Sequence, residues 1–376
     1  MSRSHRWLAG LTLGGVLAFA ACSPRGSGEN AGGAEAAASD FRGVITSPPR
    51  EKPDFTLTDF NGKPFNFRLD THGKVTLLFF GYTHCPDVCP LHVANVATVL
   101  KKLPFEAREA IRFVFVTTDP DRDTPERLKE WLGNFDPTFI GLRGSVEEVN
   151  RILYTMRMPP IDLSQKPAGA AAEYLVGHAA QVVAYGLDGY SRLEYPFGIR
   201  QEDWAHDLPK LARGELPAGE APSGPGTVDL KPMAEGDAPA VAVRVAAALM
   251  PQPATTTEGA LYVVLRNGAA EDTLYEVVSD AAARAEVHET MAGEHGKMGH
   301  MMRVPEVVVR PGETLQFVPG QRHVMLFDFK QRPAIGDAVS VRLRFRRAGD
   351  VVVAANVVAY ADVERMLAAA ASTLRQ

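Results

Sequence analysis

The stretch VTLLFFGYTHCPDVCP, residues 75–90, decides how the first half of this 376-residue chain folds. Val75 to Phe80 are apolar, β-branched or aromatic, which predicts a buried strand. The strand leads directly into a loop that holds Cys85 and Cys89, and open α/β sheets place their sites at this end of their strands. Because Cys22 is the only other cysteine, this loop holds the thiols available for chemistry in the body of the protein.

The spacing of the two cysteines predicts a metal or redox site at the start of a helix. Pro90 lacks an amide proton and fits best at the first helical position, which predicts Cys89 as the N-cap and Cys85 in the preceding turn. The positive end of that helix would stabilise a thiolate. Two soft thiolates suit Cu(I) or Zn(II), with a nitrogen ligand to complete the site. Of the ten histidines we choose His178, which we expect to open a strand after a long loop over residues 158–177.

Strands and helices alternate around the cysteine loop, which predicts a compact α/β domain over residues 51–213. The supporting signals are a hairpin at Asn61-Gly62, a second buried strand over 111–118, a helix start at Thr124-Pro125, a capping box of Ser145 with Glu148, and strands over 178–186 and 190–196.

The N-terminus is typical of an export signal. An apolar stretch over residues 7–21 follows two arginines and is too short to span a bilayer. Two alanines before Cys22 resemble the lipobox of bacterial lipoproteins, in which that cysteine is acylated; cleavage by an ordinary signal peptidase is the alternative. We therefore predict a signal peptide over residues 1–22, a flexible tether over 23–50, and a periplasmic protein anchored to the membrane through Cys22.

The second half differs in class from the first. A Pro- and Gly-rich linker is predicted over residues 214–240, a β-sandwich over 241–361 and a C-terminal helix over 362–376. The net charge of −5 provides no basic surface for nucleic acid.

A second group of candidate metal ligands lies in the β-rich half. His323 and Met325 lie on one face of a predicted strand. Thioethers bind Cu(I) without forming disulfides, and imidazole completes a soft site. Methionine clusters usually pack in cores, but Gly, His and Lys are interleaved with these in what we predict to be a loop, which favours a metal site. The further candidates upstream are His288, Met291, His295, Met298, His300, Met301 and Met302.

The segments YTHCPDVCP, TTDPDRDTPERL and VGHAAQVVAYGLDG together resemble the Sco/SenC family of thioredoxin-fold copper proteins. The resemblance covers about residues 51–213 and implies copper ligands at Cys85, Cys89 and His178. It also matches Asp119 to an acidic residue near the family's site; a simple turn initiator is the alternative reading of this aspartate.

The stretch from His288 to Lys330 resembles the PCu(A)C family of periplasmic copper chaperones, which implies a cupredoxin-like or Ig-like sandwich. We choose His288, Met301, His323 and Met325 as its ligands. Met301 fits the family's spacing to the downstream His-x-Met, and Met302 fits the local sequence better.

Other residues of the upstream segment complete the set of candidates. His295 and His300 form a possible second site that prefers Cu(II), and Met291 and Met298 are additional thioether candidates.

These resemblances imply a copper metallochaperone, binding Cu(I) and Cu(II), that delivers copper to the CuA centre of cytochrome c oxidase. The implied partners are the oxidase subunit that carries CuA, a periplasmic thiol reductase and the membrane. The alternative is a thiol–disulfide oxidoreductase in which Cys85 attacks and Cys89 resolves. A peroxidase lacks support because no Thr-Pro setting precedes Cys85, and a structural disulfide would not explain the methionines.

Overall fold

The computed structural model describes residues 40–164, 166, 174–217, 243–291 and 300–374. An α/β thioredoxin-like domain is followed by an all-β domain, which confirms the predicted fold class. The strands of the first domain are β1 (Val44–Glu51), β2 (Thr56–Asp59), β3 (Pro64–Asn66), β4 (Val75–Gly81), β5 (Ile111–Thr117), β6 (Ile140–Arg143), β7 (Val182–Tyr185) and β8 (Tyr190–Tyr195). Its helices are α1 (Phe67–Asp70), α2 (Val88–Lys102), α3 (Phe105–Glu109), α4 (Pro125–Gly133), α5 (Val146–Thr155) and α6 (Gln201–Ala212).

The strand that leads to the cysteines lies in the middle of the first sheet. The strand order is β1-β8-β7-β4-β5-β6-β2-β3. Strand β4 runs parallel to β5 and antiparallel to β7, and all of its residues are buried. A continuous apolar run is what a strand covered on both faces requires, so the sheet holds the start of the cysteine loop rigidly.

Three local predictions, one hairpin turn and two helix N-termini, are confirmed. Gly62 adopts a positive φ of 78° between the antiparallel strands β2 and β3. Thr124 caps α4 by accepting a hydrogen bond from the amide of Arg127. Ser145 and Glu148 form the predicted capping box of α5.

The predicted tether over residues 23–50 is wrong at its C-terminal end. Residues 44–51 form β1, which pairs antiparallel with β8. This strand lies at the edge of the sheet, contains Pro48 and Pro49, and is largely exposed. An edge strand of this kind has no apolar alternation and tolerates proline, so the pattern resembled that of a linker.

The second domain is built on one curled network of strands. They are β9 (Arg244–Pro251), β10 (Glu258–Arg266), β11 (Asp272–Ser279), β12 (Ala282–Met291), β13 (His300–Arg303), β14 (Val307–Val309), β15 (Thr314–Phe317), β16 (Arg322–Phe329), β17 (Ala338–Phe345) and β18 (Gly349–Val358). Their order is β13-β12-β16-β10-β9-β18-β17-β11-β14, with β15 paired to β10. Strand β10 pairs with β16 along its first half and with β15 along its second, so it connects the two layers of the domain.

Side chains along β10 alternate between two apolar clusters. Leu261 and Val263 face the core of the all-β domain. Tyr262 faces outward into a separate buried cluster that includes Leu91 of α2 and Met325 of β16. The outer face of this sheet is therefore covered by the α/β domain.

The C-terminal helix α7 (Tyr360–Thr373) completes the contact between the domains. It begins close to the predicted residue 362. Its Glu364 accepts a hydrogen bond from Asn95 Nδ2 at 3.0 Å, and the carbonyl of Ala361 accepts one from Gln201 Nε2 at 2.8 Å. Polar contacts thus flank the apolar cluster.

No helix within the described residues is long and apolar enough to cross a membrane. The predicted signal peptide and lipidated Cys22 lie outside the described residues, as does most of the predicted linker over 214–240.

Candidate metal centres

The cysteine loop connects the end of β4 to the start of α2. The helix begins at Val88 and its N-cap is Asp87, so the prediction that Cys89 is the N-cap is wrong by two residues. Pro90 occupies the first turn of the helix, where no residue's amide has an intrahelical partner. Proline is therefore tolerated there without being the first helical residue.

The helix start joins the two cysteines directly. The amide of Cys89 donates a hydrogen bond to the Cys85 sulfur at 3.4 Å. Cys85, rather than Cys89, therefore occupies the position of a capping acceptor at the positive end of α2. Gly81 allows the chain to approach this closely, since a Cβ there would lie 2.9 Å from Cys89 Sγ.

His178 joins the two cysteines across the fold. Its Nε2 lies 3.3 Å from Cys89 Sγ, and the three ligand atoms of Cys85, Cys89 and His178 lie within 4.8 Å of one another. His178 Nδ1 lies 2.9 Å from the carbonyl oxygen of Ala179. Because a carbonyl oxygen only accepts, Nδ1 carries a proton and Nε2 faces the thiols, where it donates to the Cys85 thiolate while protonated and offers its lone pair to a metal ion once that proton has left.

The prediction that His178 opens a strand is wrong. Strand β7 begins at Val182, and His178 lies in the irregular segment before it. Leaving the sheet ladder at this point lets the ring turn toward the cysteine loop and bond to its neighbouring carbonyl.

The pKa values of the two thiols are shifted in opposite directions. Burial opposes ionisation of Cys85, but hydrogen bonds from Cys89 and His178 outweigh it and hold its pKa well below the usual range. For Cys89, burial and the neighbouring Cys85 act in the same direction and hold the pKa well above the usual range. Cys85 is therefore the stronger acid of the pair, and both sulfurs are ready to bind a soft cation once their protons have left.

Asp123 holds the cysteine loop in place through hydrogen bonds, a role that the sequence did not reveal. Its buried carboxylate accepts hydrogen bonds from the Thr83 amide at 3.0 Å, the Thr83 hydroxyl at 2.6 Å and the Thr117 hydroxyl at 2.6 Å. His84 contacts the same groups, with Nδ1 3.2 Å from Thr83 Oγ1. Among the described residues, the His84 ring is not part of the cluster of ligand atoms that holds Cys85 and Cys89.

Asp119, matched by resemblance to an acidic residue near the site, lies outside the cluster of three ligand atoms. Its buried carboxylate accepts hydrogen bonds from Arg122 and from the Tyr174 hydroxyl, the latter at 2.7 Å. Tyr174 in turn packs against the Arg122 guanidinium, 3.6 Å from the ring centroid. Asp119 therefore holds the segment that precedes His178.

The second candidate set lies on the outer face of the all-β domain. His288 of β12 and His323 of β16 are direct cross-strand partners, with ring centroids 6.3 Å apart. Met325 follows two residues later on the same strand, so it lies on the same face. All three side chains are buried, and the sheet's own core, which Val324 enters, is on the other side.

Each of the two imidazoles has one nitrogen without a hydrogen-bond partner among the described residues. His288 Nε2 lies 3.1 Å from Glu286 Oε2, and burial lowers the pKa of His288, so the ring is neutral. His323 Nδ1 lies 3.1 Å from the Gln321 carbonyl oxygen. The opposite atoms, His288 Nδ1 and His323 Nε2, are buried and have no partner within the part of the chain that the structure describes. Buried polar atoms normally have partners, and two buried imidazole nitrogens without one suit a metal ion.

Strand register distinguishes between the two adjacent methionines. His288 pairs with Arg303, and Thr290 pairs with Met301, which places Met301 on the face that carries both histidines. Met302 pairs with Glu289 on the opposite face and is 58% exposed. The geometry therefore favours Met301.

The prediction that this segment is a loop is wrong at both of its ends. Met291 ends β12 and His300 begins β13, and the two are paired in register. His295 and Met298 lie outside the described residues, so the predicted Cu(II)-preferring site remains a prediction.

Comparison with known proteins identifies the first domain. Residues 44–213 match the family model SCO1/SenC. A copper-binding protein of Stutzerimonas stutzeri is 32% identical over 169 residues, which are 44% of this chain and 80% of that protein. The chain belongs to the SCO1/SenC family. It spans between 40% and 52% of the length of the yeast and mammalian mitochondrial SCO2 proteins that it also matches.

Residues 241–357 of this SCO1/SenC protein match a second family model, the LpqE-like lipoproteins. Among solved structures, Bradyrhizobium japonicum ScoI with copper bound is 32% identical and covers 43% of this chain and 99% of that one, with a TM-score of 0.37. The copper-bound PCuAC domain from PmoF2 is 25% identical and covers 32% of this chain and 96% of that one, with a TM-score of 0.27.

Substitution of His178 by alanine should raise the pKa of Cys85 toward its ordinary value, because the hydrogen bond and charge of the imidazole favour the thiolate. The ultraviolet absorbance of the thiolate, followed against pH in reduced, metal-free protein, measures this shift. His84→Ala is the matched control, since that ring contacts Thr83 and not the sulfurs. Equal titration curves for His178→Ala and the unsubstituted protein would contradict the assignment.

Proposed function

We propose that this SCO1/SenC protein is a copper metallochaperone that carries copper at two sites and delivers it to the CuA centre of cytochrome c oxidase. The observation that carries the proposal is the convergence of Cys85, Cys89 and His178, whose ligand atoms lie within 4.8 Å. Two sulfurs and an unprotonated imidazole nitrogen select soft copper over hard ions. The copper-binding name of the S. stutzeri relative supports copper over zinc.

At the thiolate site, Cu(I) is bound as cargo. Cys85 is the stronger acid of the pair, and each thiol gives up its proton when its sulfur binds the ion, so copper uptake is coupled to the loss of protons. His178 Nε2 supplies the nitrogen ligand without changing its tautomer, because the Ala179 carbonyl holds the proton on Nδ1. The same two sulfurs form a disulfide when oxidised, which couples copper retention to redox state.

The second site holds Cu(I) with His288, Met301, His323 and Met325. Thioethers keep the ion without becoming oxidised to a disulfide. The outer face that carries these residues is covered by the α/β domain, so copper has a short route between two donor sets of one chain. Two sites on one chain exchange at an effective concentration on the order of millimolar, which supports transfer within the chain.

The proposed setting is the periplasm, with the chain anchored through acylated Cys22. The lipobox-like residues before Cys22 and the lipoprotein description of the LpqE-like model support this location. The proposed partners are the oxidase subunit that carries CuA and a thiol reductase that keeps Cys85 and Cys89 reduced. We propose carriage of copper rather than catalysis as the main activity.

A thiol–disulfide oxidoreductase is the second candidate function. The observation in its favour is the lowered pKa of Cys85 beside the raised pKa of Cys89, the arrangement of an attacking and a resolving thiol. The function would require Cys85 to reach a client disulfide, yet only 4% of its surface is exposed. Reductase action therefore needs the cysteine loop to be uncovered first.

Titration of the reduced full chain with Cu(I) should give two bound ions per chain. Replacing both cysteines with serine, or His178 with alanine, should remove one ion, and His323→Ala should remove the other, because the two ligand sets share no residue. X-ray absorption then counts sulfur and nitrogen ligands at the remaining site in each variant.

A chain that binds one ion in total, or that loses both on a single substitution, would contradict the two-site proposal. Reduction of disulfide substrates by metal-free protein, unaffected by His178→Ala, would favour the oxidoreductase.

Substitution of Met301 by leucine should weaken Cu(I) binding at the second site by about tenfold or more, equivalent to about 1.4 kcal/mol, because a thioether ligand is lost with little change in volume. Met302→Leu is the matched control and should leave the affinity unchanged, since Met302 lies on the opposite face. Competition with a chromophoric Cu(I) chelator measures both variants. The reverse ranking would show that the strand register does not determine the ligand.

A further inference from the structure

Asp87, between the two cysteines, directs its side chain away from its own helix. It is the N-cap residue of α2, but its carboxylate makes no capping hydrogen bond there. It reaches the all-β domain instead, where it accepts hydrogen bonds from the Tyr262 hydroxyl and from the Gly320 amide, the latter at 2.9 Å. The carboxylate is fully buried, so its burial depends on donors that the other domain supplies.

The same carboxylate lies behind a ligand of the second candidate site. Asp87 Oδ2 is 3.7 Å from His323 Nδ1, the nitrogen that also contacts the Gln321 carbonyl. The free nitrogen of this ring, Nε2, lies on its opposite side. At 3.7 Å the carboxylate is beyond hydrogen-bond distance of the ring, so it acts through its negative charge, which favours a cation bound on the other side of the imidazole.

Each of the two histidines of the second site has a carboxylate near the nitrogen that faces away from the candidate metal position. His288 has its own carboxylate, Glu286, at 3.1 Å from Nε2. His323 obtains its carboxylate from the cysteine loop of the other domain. His323 already bonds to the Gln321 carbonyl of its own domain, so docking adds the negative charge of Asp87 behind the ring.

We propose that Asp87 is a positioning residue of the second copper site, and that docking of the cysteine loop onto the outer face of the all-β domain raises the Cu(I) affinity of that site. The proposal rests on the proposed function, since it takes His288, Met301, His323 and Met325 as copper ligands. By linkage, Cu(I) at His323 stabilises the docked arrangement to the same extent. Departure of copper then favours release of the loop, which uncovers Cys85 and Cys89 for a client.

The test isolates the second site in the full chain. Both cysteines are replaced with serine, and the Cu(I) affinity of this background is measured by competition with a chromophoric chelator. Asp87→Asn keeps one oxygen to accept from the Gly320 amide and turns its NH2 group toward the Tyr262 hydroxyl, which can accept from it, but it removes the charge behind His323. We expect this variant to bind Cu(I) about tenfold more weakly, at the lower end of the 10–100-fold effect of outer-shell substitutions.

Glu364→Gln is the matched control. Glu364 is also an interdomain carboxylate, bonded to Asn95, but it does not contact a candidate ligand in this structure. Its substitution should leave the affinity within about twofold, a small fraction of the 10–100-fold outer-shell effect. Equal losses for Asp87→Asn and Glu364→Gln, or no loss for Asp87→Asn, would overturn the proposal.

Two further measurements distinguish an outer-shell role of Asp87 from loss of a copper ligand or of the fold. X-ray absorption of the Asp87→Asn variant should show an unchanged count of sulfur and nitrogen ligands, and loss of a nitrogen would contradict an outer-shell role. Should Asp87→Asn fail to fold, Tyr262→Phe is the second variant, because it removes one donor that holds the carboxylate. Its Cu(I) affinity should lie below that of the background. An unchanged Cu(I) affinity would contradict the proposal. Absence of Cu(I) binding in the background, or binding that survives His323→Ala, refutes the second site itself.

Discussion

The hydrogen bond from the Cys89 amide to the Cys85 sulfur is the interaction on which the cysteine site depends. It forms because β4 delivers the chain into α2 through a short loop whose entry at Gly81 has no room for a side chain beside Cys89. The sulfur takes the place of a side-chain cap, and this bond adds to those from the Cys89 thiol and the His178 ring, which together hold the pKa of Cys85 well below its usual range. His178 then has one geometry available, with its free nitrogen toward the thiols. Sheet, helix start and imidazole together preorganise a site for one soft ion.

Contact between the domains adds a second constraint. The cysteine loop is covered by the same sheet face that carries His288, His323 and Met325, so the thiols are shielded from solvent while docked. Docking buries apolar residues such as Leu91 and Tyr262, which favours the closed arrangement. The buried Asp87 carboxylate opposes it unless donors or a cation compensate its charge. Binding of Cu(I) at the second site therefore stabilises the docked position of the cysteine loop.

Much of the fold was predictable because its signals are local. The apolar run of β4, the turn at Gly62 and the caps at Thr124 and Ser145 each depend on neighbouring residues, and each is confirmed. Cys85, Cys89 and His178 were predicted as one site from residue type and resemblance, and the structure brings them together. The start of α2 was misplaced because proline is tolerated throughout the first turn of a helix, not only at its first residue.

The remaining features depend on partners distant in sequence. Residues 44–51 resemble a linker until β8 supplies hydrogen bonds along their edge. The choice between Met301 and Met302 needs the register of β12 with β13, which single-sequence patterns leave open. Asp87 resembles an ordinary turn residue, and nothing near it in sequence indicates Tyr262 or Gly320 as its partners. Interdomain docking was for this reason the least predictable part of the structure.

The central claim is that copper passes between the two donor sets within one chain. The direct measurement loads Cu(I) onto protein whose Cys85 and Cys89 are held as a disulfide, reduces the pair with a phosphine that does not compete for copper, and follows the ligand shell by X-ray absorption at several protein concentrations. The account predicts that methionine and histidine ligands are replaced by cysteine and histidine at a rate independent of concentration. Copper that stays on the methionine set, or a rate proportional to protein concentration, would contradict transfer within the chain.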